Sequence, residues 1–360
     1  MRLRRGVEGV PAYGPEPSAE DGLRAMGVEL RAKLDSNEGQ FGPTQAARAA
    51  IDARLGALNR YPDHARALAD RLGGRHGVGS DRILIGNGVD AIVGYLTAAY
   101  LEPGDEVVMG WPSFVTYRLD VLRCGAVPVP APLRAGAYDL EAMAERIGAR
   151  TKLVFVCNPN NPTGGIVTRD ELDGFLARVP SHVLVVVDEA YHEYVDDDRY
   201  PDTVADHGGR ANVAVLRTFS KLFGLAGLRA GYMVAAAPVV ADVSRCRHWF
   251  DVTDLAHLAA AASLDDADEP ARRRAANADG RRRLADILRS ANLTPLESHA
   301  NFLYAEVGDG AGVAGRLARR GVLVRSLEGF GAPAAIRVTV GTPDEHAALA
   351  DALAHVLPRG

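Results

Sequence analysis

The feature that most constrains the fold of this chain is a series of short apolar runs, mostly β-branched and bounded by turn residues. Helical patterns lie between many of these runs, as at residues 89–101, 113–123 and 169–178. Parallel strands that are buried on both faces have this texture, and helices connect them. The sequence therefore predicts an α/β sheet with helices on both faces. The apolar runs are 83–85, 106–109, 153–157, 183–187, 213–216 and 231–234.

A change of texture near residue 240 predicts a second domain, which the length of 360 residues allows. A long helical stretch rich in Ala and Arg, at 255–290, is followed by further strand patterns and a last helix at 344–356. We expect a large domain with a mostly parallel sheet and a smaller α+β domain at the C-terminal end. The predicted segments are an N-terminal arm at 1–36, the large domain at 37–240 and the small domain at 241–360.

Composition and charge argue against several classes of partner. The formal net charge is −5, and the densest basic run, 272–283, is interleaved with acids and alanines, so we expect no nucleic-acid partner. No run of about 18 apolar residues is present, which argues against a membrane span. The three cysteines are far apart and lack CxxC spacing. This pattern predicts no metal cluster and a cytoplasmic location.

The unusual residues follow the predicted strands, at the edge where open α/β sheets bind ligands. Gly88, in Gly-Asn-Gly-Val-Asp, opens a helix and offers free backbone N–H groups to a phosphate. Asp188 ends an apolar strand, where a carboxylate needs a partner. Lys221 follows a hydroxyl residue before an apolar loop, and a buried lysine with a depressed pKa forms Schiff bases.

Each of these features alone has an ordinary structural explanation: a tight turn, a helix cap or ion pair, and a solvated lysine. Together they require one ligand that carries a phosphate, a ring nitrogen and an aldehyde. Pyridoxal 5′-phosphate has all three groups.

Three motifs in order carry a resemblance to a known family: NPNNPTG at 158–164, DEAY at 188–191, and TFSK with LAGLRAGY at 218–232. With them the chain resembles the class I/II aminotransferases of fold type I. It is most similar to the branch of histidinol-phosphate and bacterial aromatic amino acid aminotransferases. The resemblance covers nearly the whole chain. It implies the pyridoxal-phosphate-dependent transferase fold type I.

The resemblance implies roles for residues at the cofactor. Lys221 matches the Schiff-base lysine, Asp188 the carboxylate that pairs with the pyridine nitrogen, and Tyr191 a donor to the phenolic oxygen. Tyr61 matches a tyrosine that reaches the neighbouring subunit's cofactor, which implies a homodimer with shared active sites. The remaining implied cofactor residues are Gly88, Val89, Asp90, Phe114, Asn161, Thr218, Ser220 and Arg229.

The substrate end follows from the same resemblance. Arg337 matches the arginine that binds the substrate's anionic group, and Arg325 matches a second arginine on a neighbouring strand. Tyr13, in the N-terminal arm, matches a tyrosine that closes over the substrate. Asn37 matches the segment where the arm enters the site, and Asn301 stands in a similar family position.

Three departures from the family pattern bear on the substrate. Ala348 stands where histidinol-phosphate enzymes often carry an arginine, which predicts weaker phosphate recognition. The stretch 245–250 replaces an apolar segment that contains Pro and Phe, and 37–43 departs from the Asn-Glu-Asn-Pro form of the histidine branch. We interpret His192 and His257 as structural rather than as ligands.

The sequence therefore predicts transfer of an amino group from an aromatic or imidazole donor to 2-oxoglutarate. Phenylalanine and tyrosine are slightly favoured over histidinol phosphate. The alternative is another pyridoxal-phosphate reaction on the same scaffold, such as that of a decarboxylase or oxidase of specialised metabolism.

Overall fold

The computed structural model describes residues 3–8, 10, 19–266 and 268–357. Its strands form two main sheets and a short hairpin. The strands are β1 (Ala32–Leu34), β2 (Ile83–Gly86), β3 (Glu106–Gly110), β4 (Val127–Ala131), β5 (Leu133–Arg134), β6 (Ala137–Tyr138), β7 (Thr151–Cys157), β8 (Leu184–Asp188), β9 (Val213–Thr218), β10 (Gly231–Ala235), β11 (Phe302–Glu306), β12 (Val322–Ser326) and β13 (Ala335–Thr339).

Helices cover the sheets and connect most of the strands. They are α1 (Arg5–Glu8), α2 (Ala19–Ala25), α3 (Gln45–Arg54), α4 (Arg66–His76), α5 (Gly88–Tyr100), α6 (Val115–Arg123), α7 (Leu140–Ala144), α8 (Arg169–Arg178), α9 (Thr203–His207), α10 (Ala237–Ser244), α11 (Asp254–Ser263), α12 (Asp268–Ser290), α13 (Gly310–Ala318) and α14 (Pro343–Val356). Of the described helices, none is long and apolar enough to cross a membrane.

The larger sheet has seven strands in the order β2-β10-β9-β8-β7-β3-β4. Its central strands pair in parallel, and β10 runs antiparallel to both of its neighbours. Every residue of β8 and β9 is buried, because helices cover both faces, and this explains their continuous apolar runs. The prediction of an α/β fold with a mostly parallel sheet is confirmed.

The edge strand β4 is absent from the sequence prediction. Its sequence, Val-Pro-Val-Pro-Ala, contains two prolines, which cannot donate to a strand ladder. The strand pairs only with β3, so a proline N on its open side costs no hydrogen bond. The long helical stretch predicted at 255–290 is likewise divided, into α11 and α12.

The smaller sheet has the order β1-β12-β13-β11 and packs against a second apolar core. That core includes Leu284 and Leu288 of α12 and Leu349 of α14. The strand β1 pairs in parallel with β12, so the last part of the predicted N-terminal arm belongs to this sheet. Ala32 and Leu34 are buried there, as the two-residue period of a strand requires.

The helices around and just beyond residue 240 pack with the larger sheet. Valines of α10 and alanines of α11 lie in the core of the larger sheet. The alanine-rich α11 packs closely along α3, which is also rich in alanine. Small side chains let two helix backbones approach each other, so α11 stays with the larger core. The chain enters the smaller core through α12.

Candidate active site

A cavity of about 440 Å³ lies where the strand ends of the larger sheet face the smaller sheet. The larger sheet contributes residues that follow β7, β8 and β9, and the smaller sheet contributes two arginines. The segment after β1 completes the wall. The lining residues are Ser36, Asn37, Glu38, Val89, Asp90, Phe114, Val115, Cys157, Asn161, Asp188, Ala190, Tyr191, Thr218, Ser220, Lys221, Ala226, Arg229, Arg325, Phe330 and Arg337.

Asp188 is the last residue of β8, and its carboxylate is buried at the floor of the cavity. The hydroxyl of Tyr117 donates to Oδ2 at 2.5 Å, and the backbone N–H of Ala190 donates to Oδ1 at 3.1 Å. Burial raises the pKa of this carboxyl to about 6, although both hydrogen bonds act against the rise. Because these donors are neutral, a cationic ligand group beside Asp188 would strongly stabilise its ionised form.

Lys221 lies in the loop after β9, and its Nζ is 5.7 Å from the centre of the Tyr191 ring. Burial within the cavity lowers the pKa of this amine to about 8, and the positive charge of Arg337 adds to the effect. A substantial fraction of the amine is therefore neutral near pH 8, which makes Lys221 a competent nucleophile and base. The hydroxyl of Tyr191 accepts a hydrogen bond from Asn37 Nδ2 at 2.9 Å.

An anion cradle surrounds the N-terminus of α5. No side chain caps this helix, so its first N–H groups are available to a ligand. Arg229, in the left-handed region at φ 60°, directs Nη2 to Asp90 Oδ2 at 3.0 Å and Nη1 to Ser220 Oγ at 3.5 Å. At Gly88 a Cβ would lie 2.5 Å from Arg229 Nη2, so the cradle requires glycine there.

Asp251, which directly follows the stretch at 245–250, supports this cradle. The carboxylate of Asp251 accepts hydrogen bonds from the backbone N–H of Asn87 at 3.2 Å and from the Tyr95 hydroxyl at 2.6 Å. Asn87 immediately precedes α5, so Asp251 holds the turn from which the N–H groups of the cradle emerge. The structure thereby gives the segment around this stretch a positioning role at the anion cradle.

Arg337 lies on β13, and its guanidinium is buried at the opposite side of the cavity. Nη1 donates to Asn161 Oδ1 at 2.5 Å and Nη2 donates to the Asp35 carbonyl at 2.9 Å. Its Nε is buried and has no hydrogen-bond partner among the described residues. Arg325 lies on the neighbouring strand β12, donates to the Asp35 carbonyl at 3.1 Å, and is 43% exposed. Two arginines thus face the cavity, one buried and one near its mouth.

Asn37 joins the two sheets at the cavity wall. Its backbone N–H donates to Thr339 Oγ1 at 3.0 Å, while its side chain donates to Tyr191. Asn301 donates to the carbonyls of Asn37 and Glu38, at 3.1 and 3.2 Å. Asn37 has φ 54°, a conformation that asparagine tolerates better than most residues. The segment at Asn37 is therefore held by hydrogen bonds to Tyr191 on one side and to Thr339 and Asn301 on the other.

The structure brings most of the predicted site residues together. Gly88 lies beside the cavity, against Arg229. Tyr61 lies elsewhere on this subunit, 78% exposed and stacked on Phe250 at 4.4 Å between ring centres. Tyr13 lies outside the described residues. The predicted residues that line the cavity are Asn37, Val89, Asp90, Phe114, Asn161, Asp188, Tyr191, Thr218, Ser220, Lys221, Arg229, Arg325 and Arg337.

Sequence reasoning missed several residues of the site. Tyr117, which bonds Asp188, lies one helical turn after Phe114, and that spacing was its only signal. Phe330, Cys157 and Asp35 have no signal in the sequence, because their places depend on tertiary packing.

The inference from Ala348 is wrong, since this residue is buried in the core of the smaller domain and does not line the cavity. Its helix α14 packs on α12 and β1, so an arginine there would meet apolar neighbours rather than the substrate. The two histidines are engaged with nearby carboxylates. His257 Nε2 lies 2.9 Å from Asp254 Oδ1, and His192 Nδ1 lies 3.7 Å from Glu189 Oε2.

Comparison with known proteins places the chain in a family. The family model for aminotransferase class I and II matches residues 32–353. The chain belongs to the class I and II aminotransferases. The histidinol-phosphate aminotransferase of Moorella thermoacetica is 40% identical over 359 residues, covering 99% of this chain and 93% of the relative. The aromatic amino acid aminotransferase of Thermobifida fusca is 43% identical over 347 residues, covering 96% and 94%.

Solved structures agree with the family. A crystal structure of histidinol-phosphate aminotransferase from Sinorhizobium meliloti, in complex with pyridoxal 5′-phosphate, superposes with a TM-score of 0.89. It is 28% identical and the match covers 99% of this chain and 97% of that one. The predictions of fold type I, of a pyridoxal-phosphate-dependent transaminase and of its cofactor are confirmed.

The residues of the cavity fit this cofactor. The uncapped N-terminus of α5, Ser220 and Arg229 supply N–H and O–H donors for the phosphate. Asp188 offers a buried anion for a protonated ring nitrogen, and Lys221 offers an amine for an aldehyde. The volume of the cavity is within the range typical of cofactor and ligand sites.

Proposed function

We propose that this aminotransferase moves the amino group of an aromatic amino acid, phenylalanine or tyrosine, to 2-oxoglutarate. The observation that carries the proposal is the meeting of Asp188, Lys221 and Arg337 in one cavity. Asp188 supplies an anion for the cofactor's ring nitrogen, and Lys221 supplies a titratable amine for its aldehyde. Arg337 supplies a cation for the carboxylate of an amino acid.

Pyridoxal 5′-phosphate, when bound, supplies a carbonyl carbon that takes the amino group and a ring that accepts the electron pair from the donor's α-carbon. Asp188 keeps a ring nitrogen protonated, since its own hydrogen bonds from Tyr117 and Ala190 hold the carboxylate in place. Asn161 and Tyr191 line the same cavity and would supply polar contacts to the ring's phenolic oxygen. Phe114 supplies an aromatic face for stacking.

Lys221 Nζ would take the proton from the donor's α-carbon and deliver it to the cofactor carbon that carried the aldehyde, because its lowered pKa allows both transfers near neutral pH. Arg337 would bind the donor's carboxylate as the buried cation on the wall of the cavity. Asn37 and Arg325 stand beside it at the mouth of the cavity. The carboxylate contact orients the α-carbon toward Lys221.

The lining of the mouth favours an aromatic donor. Val115 and Phe330 offer apolar surface in the cavity, and the Phe330 ring centre lies 5.5 Å from the Arg337 guanidinium. Glu38 also lines the cavity, where Lys33 pairs with its carboxylate. The relative that is 43% identical is an aromatic amino acid aminotransferase. Together these observations support phenylalanine and tyrosine.

A second candidate donor is histidinol phosphate. The pairing of Arg325 and Arg337 on adjacent strands supports it, because two guanidinium groups suit a phosphate. A relative of that activity is 40% identical over nearly the whole chain. This candidate uses the same cofactor chemistry and differs only in the group that the arginines hold.

We further propose a homodimer with shared sites. Five large apolar side chains are exposed at 55–61 and 249–250, which is unusual for a surface that stays in water. We call this surface the aromatic face; it comprises Leu55, Leu58, Tyr61, Trp249 and Phe250. Burial of this face against a second copy would bring Tyr61 to the neighbouring cofactor. The free cysteines support our proposal of a cytoplasmic enzyme.

A half-reaction screen tests the proposed function. The purified holoenzyme is mixed with phenylalanine, tyrosine, histidine or histidinol phosphate, and the visible absorbance of the cofactor and the oxo product are measured. We expect phenylalanine and tyrosine to bleach the cofactor and to yield one equivalent of oxo acid. A preference for histidinol phosphate above about a hundredfold, or roughly 2.7 kcal/mol, would select the second candidate. Release of CO₂ or uptake of O₂ would instead identify a decarboxylase or an oxidase.

A further inference from the structure

The backbone of Lys221 is in direct contact with the chain segment at 37–43, which we call the strap. At Gly39 a Cβ would lie 2.7 Å from the Lys221 carbonyl oxygen. At Gly224, which has φ +71°, a Cβ would lie 2.6 Å from the Gly42 carbonyl oxygen. Glycine on both sides lets the two backbones touch. The position of the strap therefore bears on the position of Lys221.

One buried side chain joins the strap to this loop. Arg273 Nη1 donates to the Leu222 carbonyl at 3.0 Å, and Nη2 donates to the Gly42 carbonyl at 2.8 Å. Its guanidinium also lies 5.5 Å from the centre of the Phe41 ring. Leu222 directly follows Lys221, so a single guanidinium holds the lysine loop and the strap together. Such charge-assisted bonds are among the stronger ones in proteins.

The helix that carries Arg273 is anchored in the smaller domain. Leu284 and Leu288 of α12 lie in the smaller core, about three and four turns beyond Arg273. Asn277, one turn along the same helix, donates to the Ala300 carbonyl at 3.3 Å. The helix therefore fixes Arg273 relative to the smaller domain, and the guanidinium bonds to both the lysine loop and the strap.

We propose that Arg273 is a positioning residue that sets the place of Lys221 by linking its loop to the strap. The inference rests on the role of Lys221 given under the proposed function. Without the guanidinium, the Leu222 and Gly42 carbonyls lose their donor, and the loop and the strap move independently. Lys221 Nζ then samples a wider range of positions and meets more water. Substrate binding at Arg337 is little affected, since that residue lies on β13.

The neighbouring arginine provides a matched control. Arg272 bonds the same carboxylate, Glu269, at 2.6 Å, and its guanidinium lies 4.4 Å from the Phe41 ring centre. It is exposed, and its hydrogen bonds within the described part of the chain go to Glu269 rather than to the lysine loop. Arg272→Gln therefore removes a similar charge from the same helix and keeps the link. In Arg273→Gln, Glu269 still has Arg272 as its partner.

Hydrogen exchange of the cofactor-free protein tests the link. We expect Arg273→Gln to raise amide exchange in 37–43 and 221–225 by about tenfold, and Arg272→Gln to stay within about twofold of the wild type. Arg273→Lys, which supplies one cation, should lie between the two. Thermal unfolding of each variant shows whether the whole fold has changed. Exchange that is equal in the two glutamine variants would overturn the link.

Two further measurements test the effect on the lysine itself. Reductive methylation of Lys221, followed by mass spectrometry against the exposed Lys152, gives the pH midpoint of its amine. We expect the midpoint to rise in Arg273→Gln, because water reaches Nζ. With the holoenzyme, kcat should fall about tenfold while KM stays within about twofold. If Arg273→Gln changes neither the pH midpoint of Lys221 nor kcat, the proposal is overturned, even where the wild type transaminates the donors as proposed.

Failure of the proposed function would look different. In that case the wild type would transaminate none of the donors, while exchange and methylation would still show whether Arg273 places Lys221.

Discussion

The floor and the mouth of the cavity are built in different ways. The floor consists of Asp188 and the residues around Lys221, which follow adjacent strands of one sheet and belong to short motifs. The mouth consists of Glu38, Arg325 and Phe330, which come from the strap and the smaller domain. The floor is mostly buried, whereas Glu38 and Arg325 are 47% and 43% exposed. A substrate preference can therefore change at the mouth while the cofactor site stays intact.

The largest effect should follow from removal of the amine at the floor. Lys221→Ala should lower turnover by at least about 10³-fold, because the variant lacks the amine that moves the proton in the proposed reaction. The variant should still bind the cofactor through the cradle around α5. Single-turnover kinetics and equilibrium dialysis measure the two effects, with Lys152→Ala as the control. Substantial turnover in Lys221→Ala would show that the lysine is not the base.

The carboxylate at the floor should come next. Asp188→Asn should lower the single-turnover rate by about 10²- to 10³-fold, since the ring nitrogen loses the anion that keeps it protonated. The fold should be unchanged, because asparagine is similar in shape and accepts the Tyr117 hydroxyl. Near-ultraviolet circular dichroism checks the fold. A rate loss below about tenfold would make Asp188 a structural residue.

Of the two arginines, the buried Arg337 should matter more than Arg325 at the mouth. Arg337→Gln should raise KM for the amino donor by about ten- to a hundredfold, the value of one charge-assisted contact of about 1.5–3 kcal/mol. Arg325→Gln should raise KM by less than about tenfold, because water screens the exposed guanidinium. Both variants should keep the wild-type cofactor affinity. If either variant lost the cofactor, cofactor binding and substrate binding would not be separate properties of different parts of the cavity.

The pH dependence of cofactor uptake should follow the amine of Lys221. Its pKa is lowered from 10.5 to about 8, so the reactive neutral form is favoured as the pH rises through 8. The rate at which the cofactor-free protein takes up pyridoxal 5′-phosphate should rise about tenfold between pH 7 and pH 9 and then level off. Stopped-flow absorbance measures this rate. A rise that continues to pH 10.5 would indicate a solvated lysine.

The smallest effect should come from the aromatic face. Tyr61→Phe removes one hydroxyl that would reach the partner's cofactor, and should raise the dissociation constant of the cofactor by about three- to tenfold. Sedimentation should show a dimer for the wild type and for the variant, since the ring remains. A fully active monomer would refute both the dimer and the role of Tyr61.

The floor was predictable from the sequence because each of its residues sits in a motif at a strand end. Asp188 ends an apolar run, and Lys221 follows one, so the topology of an open sheet brings them together. The mouth was less predictable. Phe330 reaches the cavity, and Asp35 reaches Arg337, only through packing of distant segments, and the error at Ala348 has the same origin. A spacing along the chain does not say which face of α14 is buried.

The most direct test of the account uses the small number of lysines. The chain has three, Lys33, Lys152 and Lys221. The holoenzyme is reduced with borohydride, digested and analysed by mass spectrometry, so that the lysine bound to the cofactor carries a stable label. The account predicts the label on Lys221 alone, in full occupancy, and its loss in Lys221→Ala. A label on Lys33, which bonds Glu38 at the mouth, or on Lys152 would contradict it.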